Sequence, residues 1–300
     1  MITCRLKGGL CNQLFQIFAI IAFCIKYNHK MIFSYYEFAE SGTIKRKTYW
    51  DNFLVSLKMF TTYNKELNMT NEDLDNFQQL YYYEHNYQEI QNVESDSNIK
   101  LEGYFQSYLY FREYENTIFS MIRLEKQMES AKNEYPELFE YKGRKYYTIS
   151  MHFRLGDYKY LQDNHKIIPY QYYESALEFI IDNIETRNLR ILYFCEEEDN
   201  DIVSSMVSKL LQHFTNRLNH QIENIYFIKV YDNVPDWKQL LLMACCDSNI
   251  IANSTFSWFG AYFNRNLEKK VCYPSVWFGP ILNYNYIGDM FPSSWKQIES

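Results

Sequence analysis

Residues 1–27, MITCRLKGGLCNQLFQIFAIIAFCIKY, contain the pattern that decides the fold. Met1 to Leu6 predicts a short strand, Lys7 to Asn12 a glycine turn, and Gln13 to Tyr27 a helix. Met31 to Phe33 then indicates the next strand. A strand, a glycine turn, a helix and a second strand in this order open a parallel α/β unit.

The same alternation continues through the chain. Residues 99–105 indicate a strand, and 108–132 indicate a helical stretch. Beyond residue 145 we predict strands at 146–153, 189–195, 225–229, 248–252 and 271–273, and helices at 169–184, 202–214, 236–246 and 254–264. We therefore expect an α/β protein with two domains, 1–140 and 141–300, joined by a hinge within 133–145.

The charge and the cysteines exclude several classes of protein. The chain has 30 Lys and Arg against 37 Asp and Glu, a formal net charge of −7. Its longest basic cluster is Lys45 to Lys47, so we expect no binding to nucleic acid. The seven cysteines are odd in number and lack the paired spacing of a zinc site. They predict buried free thiols in a reducing, cytoplasmic compartment, without a structural metal.

The apolar run Leu14 to Ile25 spans 12 residues, which is too short for a membrane helix. The N-terminus lacks the charged start and the cleavage site of a signal peptide. We therefore expect a buried helix here and no transmembrane segment. A chain without a transmembrane segment could still associate peripherally with a membrane through a partner.

Three polar segments follow predicted strands, and open parallel sheets bind ligands at the carboxyl ends of their strands. In the first segment, Gly8 to Gln13, adjacent glycines let the backbone approach a ligand, and amides at a helix start favour an anion. A simple tight turn is the default explanation for the glycine pair alone. The segment lacks the phosphate loops of kinases and dinucleotide dehydrogenases, which argues against both classes.

The second segment is His152 to Asp157. Strand alternation places His152 and Arg154 on one face. The planar fork of donors on Arg154 can bind a phosphate. From the spacing alone, an ion pair between Arg154 and Asp157 that staples the loop is an equal alternative.

The third segment is Asp247 to Trp258, in which an apolar strand ends at Asn253 and a helix begins near Phe256. Ser254, Thr255 and their neighbours are ordinary capping residues. The same hydroxyls and helix-start amides would also bind a diphosphate. The shared position of the three segments at strand ends favours one ligand site over three unrelated turns.

The chain resembles the α-1,2-fucosyltransferases of glycosyltransferase family 11, and it shares motifs with protein O-fucosyltransferases and α-1,6-fucosyltransferases. The motifs that carry the resemblance are GGLCNQLFQ at 8–16, LEGYFQS at 101–107, HFRLGDY at 152–158 and NSTFSWFGA at 253–261. They follow the order of the family and span nearly the whole chain.

The resemblance implies a GT-B type fold, in which two Rossmann-like domains face each other across a cleft. It implies that the second domain binds GDP-fucose and that the first binds a glycan acceptor. By similarity, His152 and Asp247 would contact guanine, Arg154 would hold the β-phosphate, and Asn12 would face the reacting sugar or the acceptor. We accordingly assign catalysis to Arg154 and Asn12, and donor binding to His152, Arg154, Asp247, Asn253, Ser254, Thr255, Phe256 and Ser257.

Two positions depart from the family pattern. The family motif is H-x-R-R-x-D, and Leu155 stands in place of its second Arg. Protein O-fucosyltransferases are similar in carrying an aliphatic residue there. Leu155 therefore weakens the assignment of GDP-fucose as the donor more than it weakens the assignment to the glycosyltransferases. Cys11 stands where the family usually has Gly, which predicts that this position needs no positive φ.

The resemblance implies inverting transfer of fucose from GDP to a glycan hydroxyl, with no metal and no cofactor besides the donor. Arg154 and helix-start amides could stabilise the charge of the departing diphosphate. No single residue is assigned as general base. The alternatives are a transferase of the same fold that uses another nucleotide sugar, and a glycan-binding relative without catalysis.

Overall fold

A computed structural model describes residues 1–39, 45–82, 87–141, 143–185, 188–216, 223–282 and 287–300. These residues form two compact units. The N-terminal unit comprises Met1–Glu125 and Asn285–Pro292, and the C-terminal unit comprises Lys126–Tyr284 and Ser293–Ser300. The domain limits expected from the sequence, 1–140 and 141–300, stay a prediction.

The described part of the N-terminal unit contains short strands around one long helix. Its strands are β1 (Ile2–Cys4), β2 (Phe38–Ala39), β3 (Arg46–Lys47), β4 (Gln78–Tyr81) and β5 (Ile99–Glu102). Its helices are α1 (Leu10–Tyr27), α2 (Asn71–Asp75) and α3 (Glu115–Met121), and α4 (Leu124–Glu134) begins in this unit.

In this unit, β1, β5 and β4 form a parallel sheet in that order. Parallel bridges from Ile2 to Met31 and from Phe33 to Thr61 extend it beyond β1. The predicted strand at Met31 to Phe33 is therefore reduced to two bridge positions. The helix α1 begins directly after the glycine turn, and it ends at Asn28 in the left-handed conformation with φ of 56°.

The described part of the C-terminal unit is built on a larger sheet. Its strands are β6 (Glu140–Tyr141), β7 (Arg144–Lys145), β8 (Tyr147–His152), β9 (Asn188–Phe194), β10 (Asn224–Lys229), β11 (Ser248–Ile250), β12 (Val271–Pro274) and β13 (Lys296–Ile298). Its helices are α5 (Tyr170–Asp182), α6 (Asn200–Asn216), α7 (Asp236–Ala244) and α8 (Thr255–Phe263).

Six of these strands form one sheet in the order β10-β9-β8-β11-β12-β13, with every neighbouring pair parallel. The core beside β8 and β9 includes Ile149, Met151, Leu177 and Ile191, all fully buried. The sequence of β8, YTISMH, alternates apolar with polar residues, and β9 ends in the apolar run ILYF, which is why both strands were recognisable. The predicted α/β class with parallel sheets is confirmed in each unit.

The predicted helical stretch at 108–132 is instead broken into short turns, α3 and α4. Arg123, between α3 and α4, has a φ of 54°, and a residue in the left-handed region ends a helix. The short β2, β3, β4, β6, β7 and β13 were not predicted, because segments of two to four residues carry little periodicity.

The helix α1 has 18 residues, more than the 12 of the apolar run, because it also includes Leu10 to Gln13 before the run and Lys26 and Tyr27 after it. Length and composition alone would let α1 cross a membrane. However, 78% of that window is buried inside the protein. Core helices meet the same criterion, so the finding is weak support for a membrane span.

Candidate functional site

The carboxyl end of the C-terminal sheet brings two of the predicted polar segments together. His152 is the last residue of β8, and its neighbour in the register is Phe194, the last residue of β9. The amide of Phe153 continues the ladder to the Phe194 carbonyl at 2.9 Å. On the other side of β8, β11 ends at Ile250 and leads to Asn253.

His152 is buried and lies against the start of α8. Its Nδ1 is 3.0 Å from the Oγ of Ser257, and its ring centroid is 5.7 Å from that of Phe256. Burial, aided by the positive charge of Arg154, lowers the pKa of His152 to about 3. A neutral imidazole in this position can donate or accept a hydrogen bond to a ligand without adding charge.

The guanidinium of Arg154 is held by two carboxylates and an aromatic ring. It pairs with Asp157 and with Glu196, and its central carbon lies 4.8 Å from the centroid of the Tyr158 ring. The side chain is 17% exposed, so a ligand in solution can reach it. The ion pair with Asp157, which the sequence left open, is present. A phosphate at this site would compete with both carboxylates for the guanidinium.

Sequence reasoning missed the part of the β9–α6 loop that supports Arg154. Gly156 has a φ of 43°, and a Cβ there would lie 2.9 Å from the Arg154 guanidinium and from both Glu196 carboxylate oxygens. The Gly156 amide donates to the buried carboxylate of Asp199 at 2.8 Å. Glu196 and Asp199 lie in an acidic loop that was not predicted to join the site, because the pairing of β8 with β9, and not a local pattern, brings the loop to Arg154.

The start of α8 combines capping with a polar surface. Ser254 is the N-cap, and its Oγ accepts from the Phe256 amide at 3.3 Å. Thr255 is the first helical residue, and Ser257 Oγ accepts from the Ala252 amide at 3.2 Å. The capping role is therefore present. Amides at a helix start are also a ready site for an anion.

Asn253 ties two loops to this helix start. Its Nδ2 donates to the carbonyls of Lys166 at 2.8 Å and Trp277 at 3.1 Å. Its buried Oδ1 has no hydrogen-bond partner among the described residues. Asn253 thus has a structural role, and it retains one acceptor that a bound hydroxyl or amide could use.

The structure does not bring Asp247 to His152. Asp247 precedes β11, and its Oδ2 accepts from the amide and the hydroxyl of Thr148 at 2.7 and 2.8 Å. Thr148 is four residues before His152 on β8, or about 13 Å along the strand. The two residues therefore lie at opposite ends of the sheet, and the prediction that both contact one guanine is corrected: Asp247 braces the amino end.

Leu155 points away from the polar site. It is 6% exposed and belongs to the hydrophobic core cluster of the C-terminal unit. The residue at which this chain departs from the family motif is therefore part of the core.

In the N-terminal unit, the glycine turn presents Asn12 in the first turn of α1. Gly8 has a φ of 76°, and a Cβ on it would lie 2.4 Å from the Nδ2 of Asn12. The Oδ1 of Asn12 accepts from Nε2 of Gln106 at 3.0 Å. Cys11 is a buried helical residue without a positive φ, as predicted.

Two buried glutamines of α1 brace the turn. Gln16 makes paired hydrogen bonds with the backbone of Lys7, at 2.8 and 3.0 Å. Gln13 donates to the carbonyls of Gly8 at 3.0 Å and Lys47 at 2.8 Å. The motif GGLCNQLFQ therefore encodes a fixed loop that carries the half-buried amide of Asn12.

The chain is similar in sequence to known glycosyltransferases. The O-antigen biosynthesis glycosyltransferase WbnK of Escherichia coli is 32% identical over 134 residues. That match covers 44% of this chain and 39% of the length of WbnK. No family model matches the chain.

A second relative is named for a more specific reaction. The galactoside 2-alpha-L-fucosyltransferase of Caenorhabditis elegans is 23% identical over 317 aligned residues, which cover 99% of this chain and 79% of that protein. The chain also matches a solved structure of an Arabidopsis thaliana FUT1 mutant in complex with GDP. The structural alignment covers 90% of this chain and 69% of the FUT1 chain, with 11% sequence identity and a TM-score of 0.48. The similarity to the Caenorhabditis elegans protein confirms the resemblance to α-1,2-fucosyltransferases that the motifs carry.

Proposed function

We propose that the protein is an inverting fucosyltransferase, which transfers L-fucose from GDP-fucose to a hydroxyl of a glycan acceptor in α-1,2 linkage. One observation carries the proposal: a neutral buried imidazole, a guanidinium and the start of a helix meet at the carboxyl ends of β8 and β11. This is where an open parallel sheet binds its ligand. The similarity to a galactoside 2-alpha-L-fucosyltransferase along nearly the whole chain supports the same conclusion.

In the proposed reaction, the acceptor oxygen forms a bond to the anomeric carbon of fucose, and the bond from that carbon to the diphosphate oxygen breaks. GDP leaves with the electron pair, and the acceptor hydroxyl loses its proton to the solvent. Arg154 and the amides around Ser254 to Ser257 would stabilise the growing charge on the diphosphate. His152 would contact the nucleotide as a neutral group.

We assign donor binding to the C-terminal unit, at His152, Arg154, Asn253 and Ser254 to Ser257, and the acceptor side to the N-terminal unit with Asn12. Asp247 is left out of the donor contacts because of its place at the amino end of the sheet. The proposed chemistry needs no metal, since the guanidinium and helix-start amides supply the positive field. The seven free cysteines, five of them buried, support a reducing location.

The experiment is a hydrolysis and transfer assay across GDP-fucose, GDP-mannose, UDP-galactose and UDP-glucose, with galactosides as acceptors and with EDTA present. We expect turnover with GDP-fucose alone, unchanged by EDTA. Turnover with a UDP-sugar would favour the second candidate, a transferase of the same fold with another donor. Failure to bind any nucleotide would favour a non-catalytic glycan-binding protein.

A further inference from the structure

The imidazole of His165, which lies outside the four sequence motifs, is next to the proposed donor site. It stacks on the ring of Tyr158, with the two centroids 4.5 Å apart and the ring planes 12° apart. The central carbon of the Arg154 guanidinium lies 4.8 Å from the centroid of the same ring. The imidazole centroid is therefore at most 9.3 Å from that carbon. The hydroxyl of Tyr158 also donates to the carbonyl of Asn253 at 3.2 Å, just before the start of α8. One tyrosine thus connects His165 with the guanidinium and with the helix start.

The loop that carries His165 is fixed from two sides. The carbonyl of the following residue, Lys166, accepts from the Nδ2 of Asn253 at 2.8 Å. The carbonyl of the preceding residue, Asn164, accepts from the amide of Gly279 at 2.6 Å. Because both neighbours are held by hydrogen bonds, the stacked position of the imidazole is built into the C-terminal unit.

The ring nitrogens of His165 are available to a ligand. The side chain is half-buried, and its ring contacts are with Tyr158 and with Phe278, whose centroid lies 6.0 Å away. Within the part of the chain that the structure describes, neither nitrogen has a hydrogen-bond partner. Neither is one of the fully buried polar atoms without a partner, so both can be reached from solvent. An imidazole that is held in place but leaves its polar atoms unpaired is suited to binding.

The ionisable groups that face His165 are Arg154, Asp157 and Tyr158. Burial lowers the pKa of His165 below its usual 6.5, Asp157 opposes this shift, and Arg154 adds to it. Burial also raises the pKa of Tyr158, which therefore carries no charge near pH 7. A phosphate bound beside Arg154 would add negative charge and favour the protonated imidazole.

We propose that His165 is a second cationic contact for the diphosphate of the nucleotide sugar, alongside Arg154. The imidazole takes up a proton from solvent when the donor binds, and returns it when GDP leaves. This inference rests on the proposed function, because it takes the diphosphate to lie at Arg154. Charge-assisted hydrogen bonds of about 2.8 Å at its two ends let one diphosphate reach both side chains. His152 does not take this role, since its pKa of about 3 keeps it neutral.

The test is the Kd of GDP for wild type, His165→Gln and His165→Phe, by isothermal titration at about pH 6, 7.5 and 8.5. Phe keeps a ring to stack on Tyr158 but has no nitrogen, and Gln keeps a hydrogen-bond donor without a charge. His213→Gln is the matched control, because His213 is a partly exposed histidine of the same unit that pairs with Glu174 and Glu178. The ratio of variant to wild-type Kd at each pH cancels the ionisation of GDP itself.

We expect both His165 variants to bind GDP at least about fivefold more weakly than wild type at pH 6, since each lacks a charge-assisted hydrogen bond. At pH 8.5 the difference should be less than about twofold, because His165 is then neutral in wild type as well. Titrations in buffers of different ionisation enthalpy should show proton uptake by wild type that both His165 variants lack. The His213→Gln control should match wild type in Kd and in proton uptake.

A Kd ratio near one at every pH, or an equal loss at pH 6 and 8.5, would overturn the inference, while GDP binding by wild type would still support the proposed donor site. The wild-type titration decides the matter even without a folded variant. No proton uptake at about pH 7.5, where GDP itself is almost fully ionised, would overturn the inference. A wild-type protein that does not bind GDP would overturn both the inference and the proposed function.

Discussion

The Nδ1 of His152 lies 3.0 Å from the Oγ of Ser257, and this contact joins the last residue of β8 to the first turn of α8. Ser257 also holds the backbone at Ala252, between β11 and the helix. A buried imidazole thus links two strand ends with one helix start, and Ser257 and Phe256, which its ring contacts, are proposed donor contacts.

Because His152 is buried, its protonation should weaken the fold in mild acid. Its pKa is about 3 in the folded protein and 6.5 in the unfolded chain. Its contribution to the free energy of unfolding is therefore complete above pH 6.5, and falls by about 1.4 kcal/mol per pH unit as the pH drops toward 3. Denaturant unfolding of wild type and His152→Gln between about pH 5 and 7 measures the difference. Parallel pH dependence in the two proteins would contradict the buried neutral state.

Glu196 competes with the proposed diphosphate for Arg154, since both are anions on the same guanidinium. We expect Glu196→Gln to lower the Kd of GDP, by up to about fivefold, the size of an exposed ion pair. Glu198→Gln, on the same loop but paired with Lys159, is the control and should leave the Kd unchanged. Weaker GDP binding in Glu196→Gln would mean that Glu196 orients Arg154 for the ligand instead of opposing it.

Gly8→Ala should impair the protein for two independent reasons. The left-handed φ of 76° costs an alanine about 1–2 kcal/mol, and its Cβ would lie 2.4 Å from Nδ2 of Asn12. We expect a lower melting temperature and a loss of kcat. Gly9→Ala is the matched control, because an added Cβ there meets nothing within 4 Å. Equal activity in the two variants would show that the position of Asn12 is unimportant for turnover.

The variant Asp247→Ala tests whether Asp247 stabilises the fold without contacting the donor. It removes the two hydrogen bonds to Thr148, and should lower the free energy of unfolding by about 1–3 kcal/mol. Because Asp247 lies at the amino end of the sheet, the Kd of GDP for the folded variant should equal that of wild type. Isothermal titration with GDP, well below the melting temperature, checks this. A large loss of GDP affinity in a folded variant would restore Asp247 to the donor site.

Much of the fold was predictable because β8, β9 and α5 are long enough to show a clear apolar pattern. The proximity of His152 to Ser257 followed from their places at neighbouring strand ends. Asp247 was misplaced because its segment was treated as one motif, although β11 runs between Asp247 and Ser254 and places them at opposite ends of the strand. The contact of Glu196 with Arg154 depends on the pairing of β8 with β9, which no local pattern specifies.

The hydrogen bond between Gln106 and Asn12 was likewise beyond sequence reasoning. Both residues lie in recognised motifs, but β1 and β5 must pair in parallel before the two loops meet. The left-handed backbone conformation of Phe105 could not be predicted from the sequence, for a related reason. Its conformation is imposed by packing against neighbouring rings, and Phe has no intrinsic preference for it.

The most direct test of the central claim is the binding of GDP and UDP to wild type and Arg154→Ala by isothermal titration. The account predicts that wild type binds GDP but not UDP. It also predicts that Arg154→Ala unfolds at the wild-type temperature yet binds GDP at least about tenfold more weakly, since it lacks a charge-assisted hydrogen bond. Wild-type affinity for GDP in Arg154→Ala, or binding of UDP in preference to GDP, would contradict it.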